Sequence, residues 1–225
     1  MMKEQIFMFH YAGGNRYSYL KLAELLGKRA EVHCLELPGR GKRMAEPLIR
    51  SFQDAVDDYI EQVRILRNGA PFKLYGHSMG GLIAPYIAQH FHQRNDPAKA
   101  IVVTGNAGPD VGLSDRRYLL SNEFFTERLV QLGGIPKEVL EHQELLDFFL
   151  PIIKADFEVL EKEALPALEI KTPLFVRMGT EEKWKGSMEN WKNYSKDKLS
   201  MELIEGDHFF INGSEDQIAR CLSEA

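Results

Sequence analysis

At residues 72–84 the chain reads FKLYGHSMGGLIA: a short apolar run, a serine between glycines, and a second apolar run. The first run is typical of a strand, and the second begins a helical pattern. A serine flanked by Gly76 and Gly80, on a turn from a strand into a helix, matches the nucleophile elbow, which exposes a serine hydroxyl at the edge of a sheet. We therefore predict that Ser78 is a nucleophile. The amide of Met79, at the N-terminus of the helix, would stabilise an oxyanion.

Strand and helix patterns alternate on both sides of this elbow, which predicts an α/β fold with a mostly parallel sheet flanked by helices. Strands are predicted at residues 6–9, 32–37, 72–75, 101–105, 174–178 and 200–204, and helices at 17–28, from Ser51, after Ser78 and at 214–224. Pro85 should end or kink the helix after Ser78. Residues 113–168 show only helical patterns, with breaks at Gly133-Gly134 and before Pro151. We expect one domain, residues 1–225, in which 113–168 form an inserted helical lid.

The composition narrows the class of protein. The chain has 225 residues, of which 44% are hydrophobic, and a net charge of −5, which excludes a basic nucleic-acid-binding surface. Its two cysteines form neither a disulfide framework nor a metal-ligand spacing. The N-terminal residues do not resemble a signal peptide, and no apolar stretch is long enough to cross a membrane. We expect a cytoplasmic protein that is a monomer.

A serine nucleophile needs a histidine base and a carboxylate that orients it, in the chain order Ser, acid, His. Of seven histidines, only His208 follows the last predicted strand. The acid should follow the fifth strand, where the chain has no aspartate. Glu182 is the first candidate and Glu181 the second, and Asp110, after the fourth strand, is an alternative. The loop after the first strand should supply the second oxyanion donor, and Ala12 is the candidate there.

Five further motifs accompany the elbow: FHYAGG at residues 9–14, LPGRG at 37–41, QLGGIP at 131–136, LP at 150–151 with ADF at 155–157, and GDHFF at 206–210. With GHSMG at 76–80, they resemble nearly end to end the type II thioesterases of nonribosomal peptide and polyketide synthesis. Two departures stand out. His10 replaces a proline in the family's first motif, which affects loop rigidity. Glu181-Glu182 replace an Asp-Asp pair, which leaves the identity of the acid open.

The resemblance implies an α/β-hydrolase fold and an enzyme that removes aberrant or stalled acyl groups from the phosphopantetheine arm of carrier proteins, through an acyl-enzyme on Ser78 and without a cofactor. Acyl or peptidyl carrier domains would be its partners. Arg40–Arg43 and Lys183–Lys185 are candidate docking residues for these acidic proteins. Two alternatives remain: a small carboxylesterase or lipase with the same triad, and a non-catalytic carrier-binding protein.

Overall fold

A computed structural model describes residues 2–134 and 137–225. Ile135 and Pro136, which belong to the QLGGIP motif, lie outside the described residues.

The core of the fold is a six-stranded, fully parallel sheet with the strand order β2-β1-β3-β4-β5-β6. The strands are β1 (Gln5–Phe9), β2 (Glu31–Leu35), β3 (Phe72–His77), β4 (Ala100–Thr104), β5 (Leu174–Gly179) and β6 (Leu199–Ile204). The strand order reverses between β1 and β3, so the loops after these two strands diverge. A crevice at the carboxyl ends of the strands, at such a reversal, is where open α/β sheets bind ligands.

Helices cover both faces of the sheet. They are α1 (Leu20–Gly27), α2 (Phe52–Leu66), α3 (Met79–Gln93), α4 (Asn122–Gln131), α5 (Lys137–Leu140), α6 (Gln143–Glu161) and α7 (Glu215–Glu224). Successive residues of β1 point to opposite faces, as the strand period requires. Phe7 and Phe9 pack in a core cluster with α2 and α3, whereas Ile6 and Met8 pack in a second cluster with α1 and α7.

The helices α4, α5 and α6 lie between β4 and β5, within residues 113–168. They enclose a third apolar cluster, built on Phe125, Leu129, Leu150, Ile153 and Phe157. Ala12, in the loop after β1, packs against this cluster and against the main core. The inserted helices therefore touch the loop from which we expect an oxyanion donor.

The prolines of α3 and α6 do not end these helices. The helix α3 continues through Pro85, so the prediction that Pro85 could end it was wrong, and α6 is one helix through Pro151 rather than the two predicted. Each proline removes one helical hydrogen bond, but α3 is buried at every residue from Met79 to Ala88, and Leu150 and Ile152 are buried beside Pro151. Tertiary packing on these surfaces offsets the local cost.

Candidate active site

Ser78 is the N-cap of α3 and has a positive backbone φ of 53° with a ψ of −113°. A positive φ is uncommon for a residue other than glycine and persists only where the surroundings impose it. Here the Ser78 N–H donates to the carbonyl of Thr104 at 2.8 Å, and the Asn106 side-chain amide donates to the Ser78 carbonyl at 3.2 Å. The end of β4 and the loop after it therefore hold the strained turn.

The two glycines of the elbow are required by close backbone contacts. A Cβ on Gly76 would lie 2.1 Å from the carbonyl of Gly80, and a Cβ on Gly80 would lie 2.0 Å from the carbonyl oxygen of Phe9. Neither obstacle is a flexible side chain, so a larger residue would force the backbone apart. The glycines let the first turn of α3 press against the ends of β3 and β1.

The structure brings Ser78, His208 and Glu182 into one hydrogen-bonded relay. The distance from His208 Nε2 to Ser78 Oγ is 3.1 Å, and that from His208 Nδ1 to Glu182 Oε2 is 2.7 Å. The Glu182 residue is 9% exposed, and its other oxygen accepts the Gly179 N–H at 2.8 Å. This carboxylate can orient the imidazole, and the imidazole can take the serine proton.

A tight turn after β5 places Glu182 beside the histidine loop. The Glu181 N–H donates to the carbonyl of Gly206 at 2.9 Å. A Cβ on Gly179 would lie 2.4 Å from the carbonyl oxygen of Asp207, so the two loops meet backbone to backbone. The turn places the Glu182 backbone where its side chain, one methylene longer than that of an aspartate, reaches both His208 and the Gly179 amide.

The other two acid candidates lie elsewhere. The side chain of Glu181 is exposed, and within residues 2–134 and 137–225 it makes no hydrogen bond to His208. Asp110 is also exposed, and it accepts a hydrogen bond from the Tyr194 hydroxyl at 3.1 Å. The geometry therefore favours Glu182 as the acid.

The amides predicted to hold an oxyanion come from α3 and from the loop after β1. The Met79 N–H, at the first helical position, has no acceptor within the helix. Residues 11–14 form a turn in which the Gly14 N–H donates to the Tyr11 carbonyl at 2.8 Å. The Gly13 N–H is occupied by Asp156, whereas the Ala12 N–H has no acceptor in the described part of the chain. The Ala12 amide is therefore available to bind a substrate oxygen.

A buried ion pair holds this loop, and the sequence did not reveal it. Arg40 makes two hydrogen bonds to Asp156, at 2.6 and 2.7 Å, and the two residues are 3% and 0% exposed. Arg40 also donates to the Gly14 carbonyl at 3.3 Å, and Asp156 accepts the Gly13 N–H at 2.7 Å. The prediction that Arg40 belongs to a docking surface was wrong, because its guanidinium group is buried and paired with Asp156.

His77 packs beneath the candidate base. Its ring centroid lies 4.9 Å from that of His208, and its Nδ1 lies 3.0 Å from the hydroxyl oxygen of Thr104. Burial, and then the neighbouring His208, lower the pKa of His77 well below its ordinary value. An uncharged ring therefore supports His208 from below.

Outside the relay, the described residues contain one cavity of note but neither a metal site nor a membrane-spanning helix. Across residues 2–134 and 137–225, no group of three or more His, Cys, Asp or Glu residues is arranged to hold a metal ion. The same part of the chain contains no helix with the length and apolar character needed to cross a membrane. A cavity of about 160 Å³ lies between α1 and α7, and none of its lining residues belongs to the relay.

Comparison with known proteins places the chain in a family. The family profile described as Thioesterase domain matches residues 4–225. The gramicidin S biosynthesis protein GrsT of Aneurinibacillus migulanus is 31% identical over 218 residues, which span 95% of this chain and 85% of that protein. The structure of RedJ, a thioesterase from the prodiginine biosynthetic pathway in Streptomyces coelicolor, is similar with a TM-score of 0.89 and 25% identity, covering 98% of this chain and 85% of that one.

ClbQ, from the colibactin NRPS/PKS pathway, is similar with a TM-score of 0.89 and 25% identity, and the match covers 99% of this chain and 96% of that one. The predicted α/β-hydrolase fold and the resemblance to type II thioesterases are confirmed by these matches. The chain belongs to the thioesterase family, and it is a hydrolase that acts on thioesters.

Proposed function

We propose that this enzyme edits a nonribosomal peptide or polyketide synthase by hydrolysing aberrant or stalled acyl groups from the phosphopantetheine arm of its carrier domains. The observation that carries the proposal is the relay of Ser78, His208 and Glu182, with distances of 3.1 and 2.7 Å, in a chain of the thioesterase family. The biosynthetic relatives supply the substrate class, because their names tie them to gramicidin S, prodiginine and colibactin pathways.

The relay suggests a two-step reaction. Ser78 Oγ attacks the thioester carbonyl while His208 Nε2 takes the hydroxyl proton, and Glu182 stabilises the imidazolium. The amides of Met79 and Ala12 hold the oxyanion. The thiol of the pantetheine arm then leaves with the proton from His208. Water, activated by the same histidine, hydrolyses the acyl-enzyme and releases the acid. These steps use no cofactor and only one copy of the chain, so we also propose a cofactor-free monomer. We separately propose that it acts in the cytoplasm.

The inserted helices would act as a lid over this site. Residues 113–168 contain them, and Ile153 of α6 faces Gly13, where an added Cβ would lie 2.7 Å from its side chain. A lid in contact with the oxyanion loop can exclude water while an acyl chain is held.

Docking of an acidic carrier domain needs free positive charge. Arg43 is paired with Asp58 and Glu46, so little of the Arg40–Arg43 cluster is available. Lys183 and Lys185 are exposed and follow Glu182 closely in the chain. Charge reversal at Lys183 should weaken carrier binding and leave turnover of a free thioester unchanged. Unchanged carrier binding would reject this docking surface.

The test of function is hydrolysis of an acetyl- or aminoacyl-loaded carrier protein. The intact chain should release the acyl group, and Ser78→Ala should not. A matched oxygen ester in place of the thioester separates the alternatives, because a carboxylesterase or lipase would prefer the ester and ignore the carrier. Carrier binding without hydrolysis, and without labelling of Ser78 by a fluorophosphonate, would instead show a non-catalytic binding protein.

A further inference from the structure

His10 directly follows β1, at a position where type II thioesterases have a proline. Both of its ring nitrogens take part in hydrogen bonds. The side chain is fully buried. Nε2 lies 3.3 Å from the Leu37 nitrogen, and Nδ1 lies 2.8 Å from the Tyr11 carbonyl oxygen. Since the Leu37 N–H can only donate, Nε2 is the acceptor, and the ring proton on Nδ1 is donated to Tyr11. Burial lowers the pKa of His10 to about 4, so the ring is neutral at neutral pH.

The Tyr11 carbonyl belongs to the same peptide group as the Ala12 N–H. A trans peptide is planar, and its C=O and N–H point in opposite directions. Whatever fixes the carbonyl therefore fixes the direction in which the Ala12 N–H points. The carbonyl accepts two hydrogen bonds, one from His10 Nδ1 and one from the Gly14 N–H at 2.8 Å.

No other side chain in the described residues bonds to this peptide group. Asp156 holds the next amide, that of Gly13, and Arg40 holds the carbonyl of Gly14. Those contacts fix residues 13 and 14 but do not restrain the Tyr11–Ala12 peptide directly. Its orientation is restrained by the His10 side chain and by the hydrogen bond from the Gly14 N–H. A hydrogen bond to the carbonyl also polarises the peptide, which makes its N–H a stronger donor.

We propose that His10 is a positioning residue for the oxyanion hole: its Nδ1–H aligns the Tyr11–Ala12 peptide so that the Ala12 amide points at the developing oxyanion. In this chain a side-chain hydrogen bond replaces the fixed backbone angle that a proline would supply. This inference rests on the proposed function, because it assigns the Ala12 amide to the oxyanion.

Two substitutions at His10 separate its two hydrogen bonds. An asparagine amide nitrogen is the same number of bonds from Cβ as Nδ1, so His10→Asn can still donate to Tyr11 but loses the acceptor for Leu37. A glutamine oxygen matches Nε2, so His10→Gln can still accept from Leu37 but loses the donor to Tyr11. His33→Gln, in β2 and stacked on Phe7, is the matched control.

We expect His10→Gln to lower kcat about ten- to a hundredfold, less than removal of a whole oxyanion donor, with KM unchanged. His10→Asn should keep most of kcat although it melts at a lower temperature, because the Leu37 N–H is left without a partner. Equal loss of kcat in both variants, in proportion to lost stability, would reduce His10 to a structural residue and overturn the proposal. Full kcat in His10→Gln would overturn it as well.

A second measurement keeps this test independent of the proposed substrate. Fluorophosphonate labelling of Ser78 places negative charge in the same oxyanion hole, and Ser78→Ala provides its blank. Slower labelling of His10→Gln than of His10→Asn would support the role of His10 even if the intact chain left acyl-carrier proteins unhydrolysed, a result that would reject only the proposed function. Equal labelling rates in the intact chain and both variants would overturn the positioning role.

Discussion

At the scale of single residues, the candidate site depends on a carboxylate that serves two donors. Glu182 accepts the Gly179 N–H through one oxygen and His208 Nδ1 through the other. The first bond fixes the carboxylate on its own turn, and the second fixes the imidazole. The glutamate is therefore aligned by its turn before it acts on His208.

We expect Glu182→Gln to lower kcat about 10³- to 10⁴-fold, because a neutral amide neither stabilises the imidazolium nor selects its tautomer. Glu182→Asp should lose less, since it keeps the charge but is too short to span Gly179 and His208 together. Asp110→Asn is the matched control and should leave kcat unchanged. Steady-state kinetics on a loaded carrier protein measure all three. A large loss in Asp110→Asn with normal turnover in Glu182→Gln would move the acid to Asp110.

The buried neutral His10 also predicts how stability depends on pH. An unfolded histidine binds a proton below about pH 6.5, whereas folded His10, facing Arg40 and Asp156, stays neutral down to about pH 4. Between these values the unfolded chain binds more protons, so the free energy of unfolding falls as pH falls. His10 alone should contribute up to about 1.4 kcal/mol per pH unit.

Urea unfolding at about pH 7.5 and about pH 5 checks this dependence. His10→Gln should lose less stability than the intact chain on going to the lower pH, because its side chain does not titrate. His77, whose pKa is also lowered, is present in both proteins and cancels in the comparison. Parallel pH profiles for the two proteins would contradict a neutral buried His10.

At the scale of elements, the elbow forms because α3 approaches the ends of β1 and β3 closely. Glycines at the contacts, Gly76 and Gly80, make this approach possible. The first turn of α3 rests on the backbone at the end of β1, with Gly80 at the contact. The same helix is buried along most of its length, which is why it tolerates Pro85. Packing decides the conformation of this segment against its local preferences.

We expect Gly80→Ala to destabilise the protein by about 1–3 kcal/mol or more, because its Cβ would lie 2.0 Å from the Phe9 carbonyl oxygen. Gly27→Ala, at the end of α1 with open space around it, is the matched control and should be neutral or stabilise by up to about 1 kcal/mol. Chemical denaturation compares the two. Equal midpoints would mean that the backbone of the elbow can open without cost.

At the scale of the whole molecule, one buried ion pair joins three separate regions. Arg40 comes from the loop after β2, Asp156 from α6 of the inserted helices, and together they bind the turn after β1 at Gly13 and Gly14. The position of the inserted helices and the shape of the loop after β1 are therefore linked. A movement of α6 would release the Gly13 amide.

Asp156→Asn should destabilise the protein by about 3–5 kcal/mol, because it leaves the Arg40 charge buried and uncompensated. It should also lower kcat, since the Gly13 amide loses a charged acceptor. Replacing both partners by Arg40→Met and Asp156→Leu should cost less stability than Asp156→Asn alone. Arg64→Ala, which breaks an exposed pair with Glu61, should leave the unfolding midpoint unchanged and serves as the control. A similar midpoint for Asp156→Asn and Arg64→Ala would contradict this account.

The sequence by itself determined the parallel sheet, the elbow around Ser78 and the order of the candidate triad, because these depend on local periodicity and on which loop follows which strand. The residues chosen as Ser78, His208 and Glu182 are those that the structure brings together, although His208 lies 130 residues from Ser78 along the chain. Their catalytic roles stay predictions until the variants are measured.

Only the tertiary structure decided how the rest of the site is held. Arg40 and Asp156 are 116 residues apart in the chain, and nothing local marks them as partners. In the sequence, His10 was visible only as a departure from the family's proline. Its hydrogen bond to Leu37 exists only because β1 and β2 lie side by side. The continuity of α3 and α6 through their prolines likewise depends on burial against distant residues. Local patterns specify which elements form, whereas contacts between distant segments decide where each side chain's charge and hydrogen bonds are used.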